Sequence, residues 1–314
     1  MAKILINDGI HPTGLKMLQD AGHDVNTTKI DQENLASELP AYHAICVRSA
    51  TKVREDLIKV CPNLKVIGRG GVGLDNIDVT YARDNGVAVI NTPAASSRSV
   101  AELVFSHAFS VSRSLYKANR EMPSGGDSQF KALKKSYSAG VELKGKTIGI
   151  IGLGRIGCEV AKIALGIGMK VIGSDISGKN IEVDLEIAGI SLSYTIENIS
   201  MDELLAQSDY ISLHVPSLDK PVLGADEFAK MKDGAVLLNA SRGGTVDEDA
   251  MMTALQSGKL ASAGIDVFVG EPSPRKDILN IPNISVTPHI GASTGEAQEN
   301  IGIELANQLI DLLG

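Results

Sequence analysis

The stretch Gly152-Leu-Gly154-Arg-Ile-Gly157 constrains this chain more than any other feature. A β-rich run, TIGII, ends just before it. A helical pattern follows, with Ile156, Val160, Ile163 and Ile167 on one face, and a second β-rich run, KVIGS, ends at Asp175. Strand, glycine turn, helix and parallel strand in that order make a βαβ unit. The first glycine permits the tight turn, the second lets backbone approach a pyrophosphate, and the third lets the helix pack close on the strand. The helix start adds unsatisfied amides and a partial positive charge for phosphates. Asp175, about 20 residues past the glycines, is placed to accept hydrogen bonds from the adenosine ribose hydroxyls. A carboxylate there repels a 2′-phosphate, and neither Ile176 nor Ser177 can bind one, so NAD is expected rather than NADP.

The same alternation runs almost from end to end. The first third carries the β-rich runs KILIND, AICVRS, KVIGRG and VAVINT, with a weaker DVNTT, and a second series begins at Lys146. Runs that are apolar without clean alternation are buried on both faces, which predicts parallel sheets. The expected fold class is α/β: two doubly wound parallel-sheet domains, consistent with about 150 residues each. Ser97–Glu121 reads as one long helix, followed by a loop, MPSGGDSQ, rich in turn residues. Ser200-Met-Asp-Glu203 and Ser293-Thr-Gly-Glu296 read as capping boxes. A closing helix over Thr294–Leu313 can pack back on the first domain. The expected division is then a discontinuous substrate-binding domain, residues 1–97 and 292–314, and an NAD-binding domain, residues 98–291.

Composition narrows the partners. A net charge of -8 argues against nucleic acid, which needs clustered Lys and Arg. The opening MAKILIND is too short an apolar run for a signal peptide or a membrane span. Cys46, Cys61 and Cys158 have no metal-ligand spacing, no HExxH occurs, and His11, His23, His43 and His107 lie in no chemical motif. Buried thiols in a reducing cytoplasm, without a metal, are expected.

Three polar motifs stand at or just past predicted strand ends in the second half: Ala240-Ser-Arg242-Gly-Gly, Asp266-Val-Phe-Val-Gly-Glu271-Pro and Pro288-His289-Ile-Gly. In an open parallel sheet, ligands bind outside the carboxyl ends of the strands. Oxidising a hydroxy acid takes a proton from oxygen and a hydride from carbon. A histidine is the usual proton acceptor near neutrality. A carboxylate bonded to it fixes its tautomer and stabilises the imidazolium. An arginine fork can hold the substrate carboxylate and polarise the adjacent oxygen. Singly, each residue has an ordinary structural explanation; together, after strands of one NAD-binding sheet, they point to catalysis by Arg242, Glu271 and His289.

On VRSATKV, GRGGVGLDNID, NTPAASSRSVAEL, GLGRIG, NASRGGTVDEDA, AGIDVFVGEP and TPHIGAST, the sequence resembles the D-isomer-specific 2-hydroxyacid dehydrogenases over nearly all its length. The resemblance implies a flavodoxin-like substrate domain beside a Rossmann NAD domain. It implies that Arg242 binds the substrate carboxylate and carbonyl, that Glu271 pairs with His289, and that His289 is the acid/base. It also implies that Asp266 accepts from the nicotinamide carboxamide. The His214-Val215-Pro216 turn and the Ala240-Ser241 region would line the cofactor, joined by Arg155, Ile156, Gly291 and Ala292. Val72 would touch both cofactor and substrate.

For the substrate, Arg48 in CVRSAT (with Ser49) and Arg69 in VIGRGGVG stand at predicted strand ends, and the Gly68–Gly73 run, with Gly70 and Gly71, can present amides beside them. Both match positions that the resemblance places at the substrate cleft, and it implies a small phosphorylated hydroxy acid as the partner. Unphosphorylated hydroxypyruvate, glyoxylate or lactate are alternatives within the family, and an NAD-sensing corepressor is an alternative of another class. The family's dimer interface maps to the segment Ser97–Glu121, so a homodimer is expected. The chain departs from the family's pattern at Met122–Val141 and at Ala95-Ser96-Ser97. It ends at Gly314, and no appended regulatory domain is expected.

Overall fold

The computed structural model describes all 314 residues. They divide into two compact units, Met1–Ser99 with Ala292–Gly314, and Val100–Gly291.

The first unit holds strands β1 (Lys3–Ile6), β2 (Asp24–Asn26), β3 (Ala44–Val47), β4 (Val66–Arg69) and β5 (Ala88–Asn91), all parallel in the order β2-β1-β3-β4-β5. Helices α1 (Pro12–Asp20), α2 (Leu35–Glu38), α3 (Glu55–Lys59) and α4 (Val79–Asp84) make the crossovers. Successive side chains of a strand face opposite sides, and β1 shows the consequence. Leu5 packs with Ile45, Val47 and Ile67 in one core, while Ile4 and Ile6 pack with Leu18, Leu305 and Leu309 in another.

Strand order reverses between β1 and β3, the switch point where such sheets bind ligands. There Asp8, just past β1, accepts from the amides of Arg48 (2.7 Å) and Thr51 (3.0 Å).

The second unit opens with helix α5 (Ser97–Ser112), which begins in the first, then α6 (Leu115–Gly125) and α7 (Phe130–Ser136). The expected single helix over Ser97–Glu121 is thus two. Ser114 turns left-handed at φ 51°, and the Ser112 carbonyl accepts from Val141 N at 3.0 Å, so the returning chain takes over the helix end. The expected loop after Glu121 is likewise corrected: α6 continues through Pro123, and α7 follows.

Six parallel strands follow: β6 (Thr147–Ile151), β7 (Lys170–Ser174), β10 (Tyr210–Leu213), β11 (Ala235–Asn239), β12 (Leu260–Ile265) and β13 (Ile284–Val286), in the order β13-β12-β11-β10-β6-β7. Between β7 and β10 the chain makes an antiparallel hairpin, β8 (Ile181–Ile187) and β9 (Ile190–Ile196), which the strand pattern above did not include. The unit's later helices are α8 (Arg155–Gly166), α9 (Met201–Gln207), α10 (Ala225–Lys230), α11 (Glu248–Ser257) and α12 (Lys276–Leu279). The sheet is buried on both faces: Ile148, Ile150 and Leu238 face one core, and Ile211, Leu213 and Leu237 the other. Cutting any of these to Ala would cost about 2–5 kcal/mol through lost burial and the cavity left behind.

The closing helix, α13 (Gly295–Leu313), belongs to the first unit and packs on α1. A Cβ on Gly14 would lie 2.4 Å from the Gly302 carbonyl, so these glycines set the approach. Its cap is Thr294, accepting from Ala297 N at 3.2 Å, not the box expected from Ser293 and Glu296. The box at Ser200 and Glu203 forms on α9 as expected.

No helix is long and apolar enough to cross a membrane.

Candidate active site

The second sheet reverses direction between β6 and β10, and the glycine turn lies at that point. Gly152 has φ +92°, and a Cβ on it would meet the His214 carbonyl at 2.5 Å. A Cβ on Gly157 would meet the Gly152 carbonyl at 2.1 Å, whereas Gly154 faces open space. Gly154 is the N-cap of α8 with no side-chain cap, so the amides opening that helix, ahead of Arg155 and Ile156, are left to an incoming anion. The cradle is one that a dinucleotide pyrophosphate fits.

Asp175, at the end of β7, accepts from Leu153 N at 2.8 Å and Ser177 N at 2.9 Å. Those amide bonds, first Ser177 and then Leu153, hold its carboxyl below the usual range and keep it charged. Asn198, at the exit of the hairpin, grips the Asp175 backbone on both sides: Oδ1 accepts from its amide (3.0 Å) and Nδ2 donates to its carbonyl (3.2 Å). Sequence reading gave no role to Asn198, which stands on an isolated parallel bridge to Gly173.

Arg242, Glu271 and His289 lie in the loops after β11, β12 and β13, three neighbouring strands of one sheet. The His289 Nδ1 to Glu271 Oε2 distance is 2.7 Å, and both side chains are partly open to solvent. The other Glu271 oxygen accepts from Phe268 N at 2.8 Å, which orients the carboxylate. A carboxylate only accepts, so Nδ1 carries a proton, and in the neutral ring Nε2 carries the lone pair.

Arg242 donates from Nη1 to the Ser241 carbonyl at 2.6 Å, and its own carbonyl accepts from Thr245 Oγ1 at 2.7 Å. A Cβ on Gly243 would lie 2.0 Å from the Phe268 carbonyl, so the arginine loop and the glutamate loop touch through a glycine. Glu248, also unassigned from sequence, accepts from Val269 N at 2.8 Å in the same loop.

Asp266 is fully buried, and its carboxylate accepts from Thr287 Oγ1 (2.6 Å), Ile290 N (2.8 Å) and Gly291 N (2.9 Å). A buried carboxyl group needs such partners, and these three tie the side chain to the loop that carries His289. In the first unit two amides of the glycine run are used internally: Gly70 N donates to the Val47 carbonyl at 2.9 Å and Gly71 N to Thr92 Oγ1 at 2.8 Å. Gly71, at φ +137°, instead makes room for the Arg69 guanidinium, whose Nη1 would sit 1.6 Å from a Cβ there. Arg48 follows β3, with Ser49 after it, and Arg69 ends β4, three residues before Val72.

Ala240, Val215 and Pro216 follow the ends of β11 and β10, with His214 between Leu213 and Val215. Burial pushes the His214 imidazole down to about 3. Ala292 opens the returning segment of the first unit, its carbonyl accepting from Gln298 Nε2 at 2.7 Å. His11 caps α1, and His23 and His43 accept from Ala2 N and Lys3 N; these three are structural.

A sheet with this strand order, an open glycine turn at its switch point and a His–Glu pair past its later strands defines an NAD-dependent oxidoreductase. Residues 105–291 match the D-isomer specific 2-hydroxyacid dehydrogenase NAD binding domain, and the chain belongs to that family. It is 41% identical to a hydroxypyruvate reductase of Thermotoga maritima, over 99% of this chain and 98% of that protein. It is 39% identical to a D-3-phosphoglycerate dehydrogenase of Archaeoglobus fulgidus, over 99% of this chain but spanning only 57% of that longer protein. Among solved structures, a glyoxylate reductase from Paecilomyes thermophila superposes with a TM-score of 0.84 at 30% identity, covering 99% of this chain and 95% of that one. An NAD+-bound 3-phosphoglycerate dehydrogenase of Entamoeba histolytica does so with 0.79 at 26%, covering 99% and 96%.

Proposed function

We propose that this enzyme oxidises D-3-phosphoglycerate to 3-phosphohydroxypyruvate, the oxidation that starts serine biosynthesis, and that Arg242, Glu271 and His289 carry the chemistry. The supporting observation is the Glu271–His289 pair on loops that follow adjacent strands, with Arg242 on the next loop. NAD, when bound, supplies the hydride acceptor. Arg242 holds the substrate carboxylate and polarises the oxygen at C2. His289 Nε2 takes the hydroxyl proton, and Glu271, accepting from Nδ1, stabilises the imidazolium that results. Asp175 takes the ribose hydroxyls, with Leu153 and Ser177 fixing its carboxylate.

The choice of a phosphorylated acid is supported by the phosphoglycerate dehydrogenases at 39% and 40% identity and by Arg48 and Arg69 at strand ends. A buried phosphate needs cationic partners. A second reading, hydroxypyruvate reduction, is favoured by the match to nearly the whole Thermotoga protein.

Turnover separates these. NADH formation is followed with D-3-phosphoglycerate, D-glycerate and D-lactate; the first should be used best, and D-glycerate ahead of it would move the assignment to the second reading. An absence of turnover on every acid would favour the corepressor class. Arg48→Ala and Arg69→Ala should each raise KM for the phosphorylated acid by about tenfold or more, as loss of a charge-assisted bond implies, with a smaller effect on D-lactate. His289→Asn should lower kcat by at least about 10²-fold with NADH affinity retained; near-normal turnover would remove it as the base.

A further inference from the structure

We propose that His107 is a positioning residue for catalysis, holding the His289 loop through the Thr287 hydroxyl and the Asp266 carboxylate. The inference rests on the reading of His289 as proton acceptor.

The backbone at His289 explains why the loop needs holding. Its φ is +55°, in the left-handed region, which is unfavourable for a non-glycine residue. Such a conformation persists only where its surroundings over-determine it. Here one residue collects three successive amides: His289 N donates to the Asp266 carbonyl at 2.8 Å, Ile290 N to Oδ1 at 2.8 Å and Gly291 N to Oδ2 at 2.9 Å. The orientation of the Asp266 carboxylate therefore sets the path of the chain through His289.

That orientation is in turn fixed from α5. Thr287 Oγ1 has one proton, and it goes to Asp266 Oδ1 at 2.6 Å. The 3.0 Å contact between Thr287 Oγ1 and His107 Nε2 is then one in which the imidazole donates. Burial lowers the His107 pKa and keeps the ring neutral, so Nδ1 has a lone pair and accepts from Ser285 Oγ, also at 3.0 Å. The three hydrogen bonds of the line Ser285–His107–Thr287–Asp266 all run in one direction, which favours one arrangement of its side chains. Gly264, two residues before Asp266 on β12, lets α5 come this close: a Cβ there would lie 2.5 Å from the His107 Cβ.

Three variants test the line. His107→Leu removes the donor, Thr287→Val removes the hydroxyl at nearly constant volume, and His107→Gln retains an amide donor near the Nε2 position. The expected result is a fall in kcat of about tenfold to about 10²-fold in the Leu and Val variants, because small misplacements of a catalytic group cost that much. NADH affinity, read by fluorescence titration, should stay within about twofold, and the Gln variant should recover most of kcat. NMR of histidine-labelled wild-type enzyme should show a neutral Nε2–H tautomer for the resonance that His107→Gln removes.

Wild-type kcat in His107→Leu and Thr287→Val would overturn the inference. So would a parallel loss of kcat, NADH affinity and melting temperature that Gln does not rescue, since that pattern belongs to packing alone. His289→Asn is measured beside them. If it stays active, the base assignment and this inference fall together; if it is inactive while His107→Leu and Thr287→Val are normal, only the inference falls.

Discussion

Asp175 and His214 show how little of a side chain's role its identity fixes. Asp175 is proposed as the ribose acceptor: two amides and the Asn198 clamp hold it charged and pointed, and Asp175→Ser should weaken NADH binding about tenfold, the worth of a hydrogen bond to a charged group. The gap between NAD and NADP should narrow in the same variant; unchanged selectivity would end the ribose assignment. His214 is held neutral by burial, its pKa lowered from 6.5 to about 3. In the unfolded chain it binds a proton near 6.5, so between those values the unfolded state holds more protons than the folded one. The stability from its neutral burial is therefore complete above about pH 6.5 and is lost as pH falls towards about 3. Melting temperature should decline through that window, and His214→Gln should flatten the decline. Parallel curves for the two proteins would mean that the ring does not titrate this way.

At the scale of elements, the site depends on loops that touch. Gly243 joins the Arg242 loop to the Glu271 loop at the Phe268 carbonyl, where no Cβ fits. Gly243→Ala should push the two apart and lower kcat by about 10²-fold. A fully active variant would show that the loops are independent. The hairpin β8–β9 carries a legible signal in hindsight of its pairing, since Ile181, Val183, Leu185 and Ile187 alternate with acids and face Ile196, Tyr194, Leu192 and Ile190. Its turn, Ala188-Gly189 with both φ positive, lacks the Asn-Gly or Asp-Gly that marks such turns most strongly. The break at Ser114 has no comparable local sign, because the group that ends α5 is an amide of Val141, far along the chain.

The whole molecule is proposed to work as a homodimer. The exposed apolar side chains of Leu115, Met122 and Phe130 on α6 and α7 are consistent with it, and two-fold dimers are the commonest closed assembly. Light scattering should give about twice the chain's 33.0 kDa, and a mass near 33.0 kDa would refute the dimer. The sequence by itself determined the parallel strands, the glycine turn with its acid, and the loops that carry arginine, glutamate and histidine. Those features depend on periodicity and on spacing within one βαβ step, which are local. Only the tertiary structure decided that Asp266 turns inward, that Gly70 and Gly71 spend their amides inside their own unit, and that His107 reaches Ser285 and Thr287 across 178 and 180 residues. Each of these is a choice of hydrogen-bond partner between distant segments, and the partner is set by which chains the sheet brings side by side.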